Sequence, residues 1–129
     1  MGDFNSVISD SVEGVVGPHG LSRGTNDNGE RLVSFASSND LTITNSLFPH
    51  KRIHQASWYP PNPRAQPSLK EYVLVRHRLG PSVLVTWVYR GADILSDHQL
   101  VIALVRLKLA KKVKCRKGRY LMYSVLNSV

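Results

Sequence analysis

The chain has 129 residues, a formal net charge of +8 and a single cysteine. That length predicts one domain, long enough to bury about 68% of its unfolded surface. With 42% hydrophobic and 20% charged residues, bulk disorder is excluded. Cys115 cannot form an internal disulfide, no apolar run is long enough to span a bilayer, and the N-terminus lacks a basic region followed by an apolar stretch. The expectation is an intracellular protein, nuclear or cytoplasmic, that is neither secreted nor membrane-bound.

The positive charge is concentrated at one end. Arg106, Lys108, Lys111, Lys112, Lys114, Arg116, Lys117 and Arg119 lie in one segment, and no Asp or Glu follows Asp97. Such a segment suits a polyanion such as nucleic acid; the competing reading is a solvated tail.

Gly2-Asp3-Phe4-Asn5 opens the chain as a polar tip behind one apolar anchor. In an extended segment Phe4 buries while Asp3 and Asn5 point to the other side. A glycine-rich loop is predicted from Asn5 to about Gly29. A helix follows, with Asn28 as N-cap, Leu32, Phe35 and Ala36 on its apolar face, and Asn39 as a left-handed cap. Leu41 to Thr44 alternates and is rich in β-branched residues, which predicts a strand.

Phe48 to His54 reads as a basic loop with two histidines. Zinc binding by His50 and His54 is a weak reading, since no cysteine or third histidine lies near. Ser57-Trp58-Tyr59 reads as a short strand, and Pro60, Pro61, Pro63 and Pro67 mark a loop. For His50, His54 and Trp58, loop packing is the first reading and nucleic-acid contact the second. Strands are predicted at Tyr72–Val75, Val83–Tyr89 and Leu100–Leu109, and Ser96-Asp97-His98 leads into the last of these. Tyr120 to Val129 could be a helix or disordered. Loop, helix and then mainly strands predict an α/β (α+β) fold with mixed, mainly antiparallel sheets.

Each motif is weak alone; their order is specific. Gly2-Asp3-Phe4-Asn5, Trp58, Tyr72-Val73-Leu74-Val75 and Ser96-Asp97-His98 resemble the endonuclease/exonuclease/phosphatase superfamily over Gly2 to Leu109. Asn28 to Leu32, Leu47 to Lys51 with Ile53-His54, and Arg90-Gly91-Ala92-Asp93 resemble more narrowly the craniofacial development protein 2-like proteins and the endonucleases of non-long-terminal-repeat retrotransposons.

The resemblance implies the C-terminal part of a four-layer α/β sandwich that hydrolyses phosphodiesters with magnesium. It implies that Asp3 orients or deprotonates the attacking water and that Asn5 fixes Asp3 and a phosphate oxygen. His98 would stabilise the charge on the phosphate, Glu71 would orient His98, and Asp97 would bind the metal. Glu71 stands where the family has an aspartate. No residue here matches the family's principal metal-binding glutamate, which lies in its first half. Residues 1–109 are therefore expected to be a partial domain and 110–129 a basic tail. Apolar surface is expected to be exposed on Tyr72–Val75 and Val83–Tyr89. The expected function is that of a nuclease-like phosphodiester hydrolase, weak or inactive as this stretch alone. The alternative is a catalytically dead relic that binds nucleic acid or protein. Expected partners are nucleic acid, DNA before RNA, and the missing half or another protein.

Overall fold

A computed structural model describes residues 1–109 apart from 21, 93 and 94. The basic tail from residue 110 and the Tyr120–Val129 segment lie outside the described residues. In chain order the elements are β1 (Gly2–Asp3), α1 (Asp27–Ser38), β2 (Leu41–Ile43), β3 (Glu71–Tyr72), β4 (Leu74–Arg76), β5 (Val83–Tyr89) and β6 (Leu100–Val105), with short 3-10 turns at Thr44–Leu47, Arg52–His54 and His77–Ser82. The strands pair as three antiparallel ladders: β1 with β3, β2 with β4, and β5 with β6. The fold is thus mixed α/β with antiparallel pairing. Among the described residues, no helix is long and apolar enough to cross a membrane.

Helix α1 starts at Asp27, and its cap is Asn26, not Asn28. The Asn26 side-chain oxygen accepts from Gly29 N at 2.7 Å and from Val7 N at 2.9 Å. It therefore satisfies one free helix N–H and also ties the incoming loop to the helix. Leu32 and Ala36 are buried as predicted, whereas Phe35 is 55% exposed. At the other end Asn39 is not left-handed (φ −110°); the left-handed residue is Asp40 (φ 53°). The Asn39 N–H still closes the helix on the Phe35 and Ala36 carbonyls.

The segment predicted as a featureless loop contributes to the core. Ile8, Val15 and Val16 are buried against Leu32, Ala36, Ile43, Tyr72, Val73, Val88 and Val101. Val16 also bridges Ile43 in parallel register. The predicted strand at Tyr72–Val75 is split. Its chain leaves the β1 ladder at Val73 and joins the β2 ladder at Leu74. Val73 makes the junction: its N–H donates to Asn45 Oδ1 at 2.8 Å, and its carbonyl accepts from Thr44 N at 2.9 Å. Tyr72 and Val73 are consequently buried, contrary to the expectation of exposed apolar surface there. On β5 that expectation holds in part, with Val83 and Val88 buried and Leu84 and Tyr89 exposed.

Strand β5 has the predicted bounds. β6 ends at Val105 rather than Leu109, because its register partner Val83 is the first residue of β5. Arg106 N still reaches the Ser82 carbonyl at 2.7 Å. Beyond it, Leu107 and Leu109 are 64% and 83% exposed. His50 Nε2 lies 2.8 Å from the Thr86 carbonyl and His54 Nδ1 lies 3.1 Å from that of Val88. Each imidazole donates to a β5 carbonyl and pins the loop to the sheet, as the loop-packing reading expects.

Candidate functional site

The site begins with register. Asp3 and Glu71 are direct partners across the β1–β3 ladder, so their side chains stand on one face. Their fates differ. Glu71 is 2% exposed, while Asp3 stands at the surface. Two carboxylates opposite each other repel unless something positive or proton-donating joins them.

His98 is that group. It is brought in by an isolated antiparallel bridge to Trp58, with Gln99 N donating to the Ser57 carbonyl at 2.6 Å. The imidazole Nδ1 is hydrogen-bonded to Glu71 Oε1. A carboxylate only accepts, so Nδ1 carries the hydrogen. That fixes the ring and turns Nε2 toward the open side of the site. Nε2 lies 4.0 Å from Asp3 Oδ2 and 3.7 Å from Asp97 Oδ1. The ligand atoms offered by Asp3, Glu71 and His98 all lie within 4.8 Å of one another.

Each member is held from behind. Asp3 Oδ1 accepts from Asn5 N at 2.8 Å, closing a tight turn in which Asn5 is left-handed (φ 47°). Asparagine tolerates that conformation better than most residues. The side-chain amides of Asn26 and Asn28 donate to the Asn5 carbonyl at 3.2 and 3.3 Å, so the helix entrance supports the turn. The Asn5 side chain itself makes no hydrogen bond to the cluster among the described residues. Phe4 packs on the core, with its ring 6.4 Å from that of Tyr72. Asp97 is held through Oδ2, which accepts from Trp58 Nε1 at 3.1 Å.

Glu71 has a second peculiarity. Its Oε2 is buried and has no hydrogen-bond partner among the described residues. The neighbouring Tyr72 hydroxyl shares its one hydrogen between the Leu69 carbonyl at 3.0 Å and the Ser6 carbonyl at 3.2 Å. The phenol pKa is pushed well above its ordinary value of 10.0, first by burial and then by the Glu71 carboxylate.

Asn45 is a site residue that sequence reasoning missed. Its amide donates to the Glu71 carbonyl at 3.2 Å, and its oxygen accepts from Val73 N. It therefore clamps the backbone on both sides of Tyr72. Its position after a β-branched strand carries no signal that would reveal this. The structure thus brings Asp3, Glu71, Asp97 and His98 together. Asn5 lies beside them through its backbone.

No protein-family profile matches the chain, and no solved structure matches it significantly. It is similar to craniofacial development protein 2 of Bos taurus, with 38% identity over 112 residues, 84% of this chain and 18% of that protein. It is equally similar to the Tragulus javanicus protein of that name, with 38% identity over 112 residues and 19% of its length. The chain spans about a fifth of the length of these curated relatives.

Proposed function

We propose that this chain, which over 84% of its length belongs with the homologues of craniofacial development protein 2, carries the hydrolytic site of a nuclease-like phosphodiesterase that uses a divalent metal and acts on nucleic acid. The observation that carries the reading is the Glu71–His98–Asp3 arrangement. A buried carboxylate holds one imidazole nitrogen, and the other nitrogen faces an exposed carboxylate at 4.0 Å.

Their positions support the following roles. Glu71 keeps His98 in one orientation and one tautomer. His98 Nε2 meets a non-bridging phosphate oxygen and stabilises the charge that builds there. Asp3, exposed and fixed by the Asn5 turn, orients the attacking water and takes its proton. Asn5, whose backbone N–H holds Asp3, would offer its uncharged side-chain amide to a phosphate oxygen.

The donor set suits a hard cation, because Asp97 and Asp3 present carboxylate oxygens on the open side of His98. Asp97 would hold magnesium, which would supply Lewis acidity to the phosphate and a lowered pKa to bound water. The test is magnesium-dependent conversion of supercoiled plasmid to the nicked form by this chain fused behind the glutamate-bearing first half of a related endonuclease. Loss of that activity on His98→Ala supports the reading. Nucleic-acid binding without any nicking favours a relic that only binds.

A further inference from the structure

Beside the cluster lies a second feature with different chemistry. A cavity of about 670 Å³ opens next to Trp58. That size falls in the roughly 300–1,000 Å³ range of small-molecule sites. Two aromatic rings, Trp58 and Tyr59, line it together with Arg23, Arg52, Lys70 and Arg90. No acidic residue lines it among the described residues.

The cations and rings are interleaved. The Lys70 ammonium sits 3.7 Å from the Trp58 ring centroid, and the Arg90 guanidinium sits 5.0 Å from that of Tyr59. Among the described residues, none of the four cations makes an ion pair with a carboxylate. Four positive groups in one concavity without local compensation call for an anion. Two π-faces among them call for a flat ring as well. A nucleotide combines both, and only an unpaired one presents its base face to a side chain. Trp58 connects the cavity to the site, since its indole N–H holds Asp97 and its backbone bridges His98.

We infer that this cavity seats an unpaired nucleotide of a single strand, its base stacked on Tyr59 or Trp58 and its phosphates held by Arg23, Arg52 and Arg90. The inference rests on the nucleic-acid reading of the adjacent site and adds to it a preference for unpaired over duplex substrate. An acidic peptide would satisfy the arginines and leave the rings unused.

The experiment is fluorescence anisotropy of the full 129-residue chain with a short labelled oligothymidylate, in EDTA so that no cleavage intrudes. Tyr59→Leu removes the π-face and should weaken binding roughly five- to a hundredfold. Tyr59→Phe keeps the face and should bind as the parent does, which controls for misfolding. Arg52→Gln with Arg90→Gln should lower the salt slope by about 0.7 per lost phosphate contact. A blunt duplex containing the same strand should bind more weakly than the single strand. The inference is overturned if Tyr59→Leu binds as the parent does or if Tyr59→Phe loses as much as Tyr59→Leu. Equal binding of the duplex, or equal displacement by polyglutamate and oligothymidylate, overturns it too. Tyr59-dependent binding without nicking by the chain fused behind the glutamate-bearing first half of a related endonuclease leaves the groove standing and removes the hydrolase. Nicking without Tyr59-dependent binding does the reverse.

Discussion

Glu71 and His98 form a pair in which one partner is far better hidden than the other. Glu71 is almost fully buried, with one oxygen on His98 Nδ1 and the other, among the described residues, without a partner, while the imidazole reaches the surface of the site. A buried carboxylate with an orphaned oxygen costs stability. That cost is easier to understand if the charge orients a working histidine than if it only fills space.

Glu71→Gln separates these alternatives. It keeps the shape, supplies a donor in place of a charge, and removes the buried carboxylate. The melting temperature should rise by a few degrees. Magnesium-dependent nicking, in a context where it is measurable, should fall by about 10² because the histidine is no longer held in one tautomer and position. A fall in melting temperature with activity retained would make Glu71 a structural residue. Glu71→Asp should keep the orientation only if the backbone at β3 moves closer to His98.

Backbone contacts make a second prediction. A Cβ on Gly29 would land on the Val7 carbonyl, where the loop crosses the start of α1. Gly29→Ala should therefore cost roughly 1–3 kcal/mol, read as a lower urea midpoint. Gly80 has nothing within 4 Å of such a Cβ and no positive φ. Gly80→Ala should leave the midpoint unchanged or raise it slightly. Equal effects at the two positions would mean that the loop does not pack on the helix as described.

These contacts also mark where sequence reasoning stops. Val83–Tyr89 was legible because seven apolar or β-branched residues sit between turn signals, and tertiary context left them alone. The relation of Asp3, Glu71 and His98 was legible only through motif order, since no periodicity links residues so far apart. The helix cap was misread because Asn26, Asp27 and Asn28 are all good caps. The choice between them is made by the Val7 N–H, which the helix pattern does not contain. Phe35 has the spacing of a core residue, yet the apolar face stops at Leu32 and Ala36. The core role of Val15 and Val16 and the clamp by Asn45 arise from long-range pairing. Local composition there says only "turn".

Tyr72 carries the pH prediction. Its pKa is raised in the fold, by burial first and by the Glu71 carboxylate second. The folded state then keeps a proton that the unfolded chain releases near 10.0, so stability falls as pH rises above that value. Below it the contribution is fully present. Urea midpoints measured up the alkaline limb should decline for the parent and decline less for Tyr72→Phe. The phenylalanine variant should start lower, having lost the hydrogen bonds to Ser6 and Leu69. Parallel pH profiles for the two proteins would contradict the assignment.

We propose that Asp3, Glu71 and His98 work on a phosphodiester together with a divalent metal. The most direct measurement is plasmid nicking with and without magnesium, by residues 1–129 alone and by the same residues fused behind the glutamate-bearing first half of a related endonuclease. Little or no nicking is expected from residues 1–129 alone, since Asp97 leaves most of the cation's shell to water. The fused protein should nick only with magnesium, and both Asp3→Ala and His98→Ala should abolish that activity. Nicking by the fused protein that survives His98→Ala, or a folded fused protein that never nicks, would contradict the account.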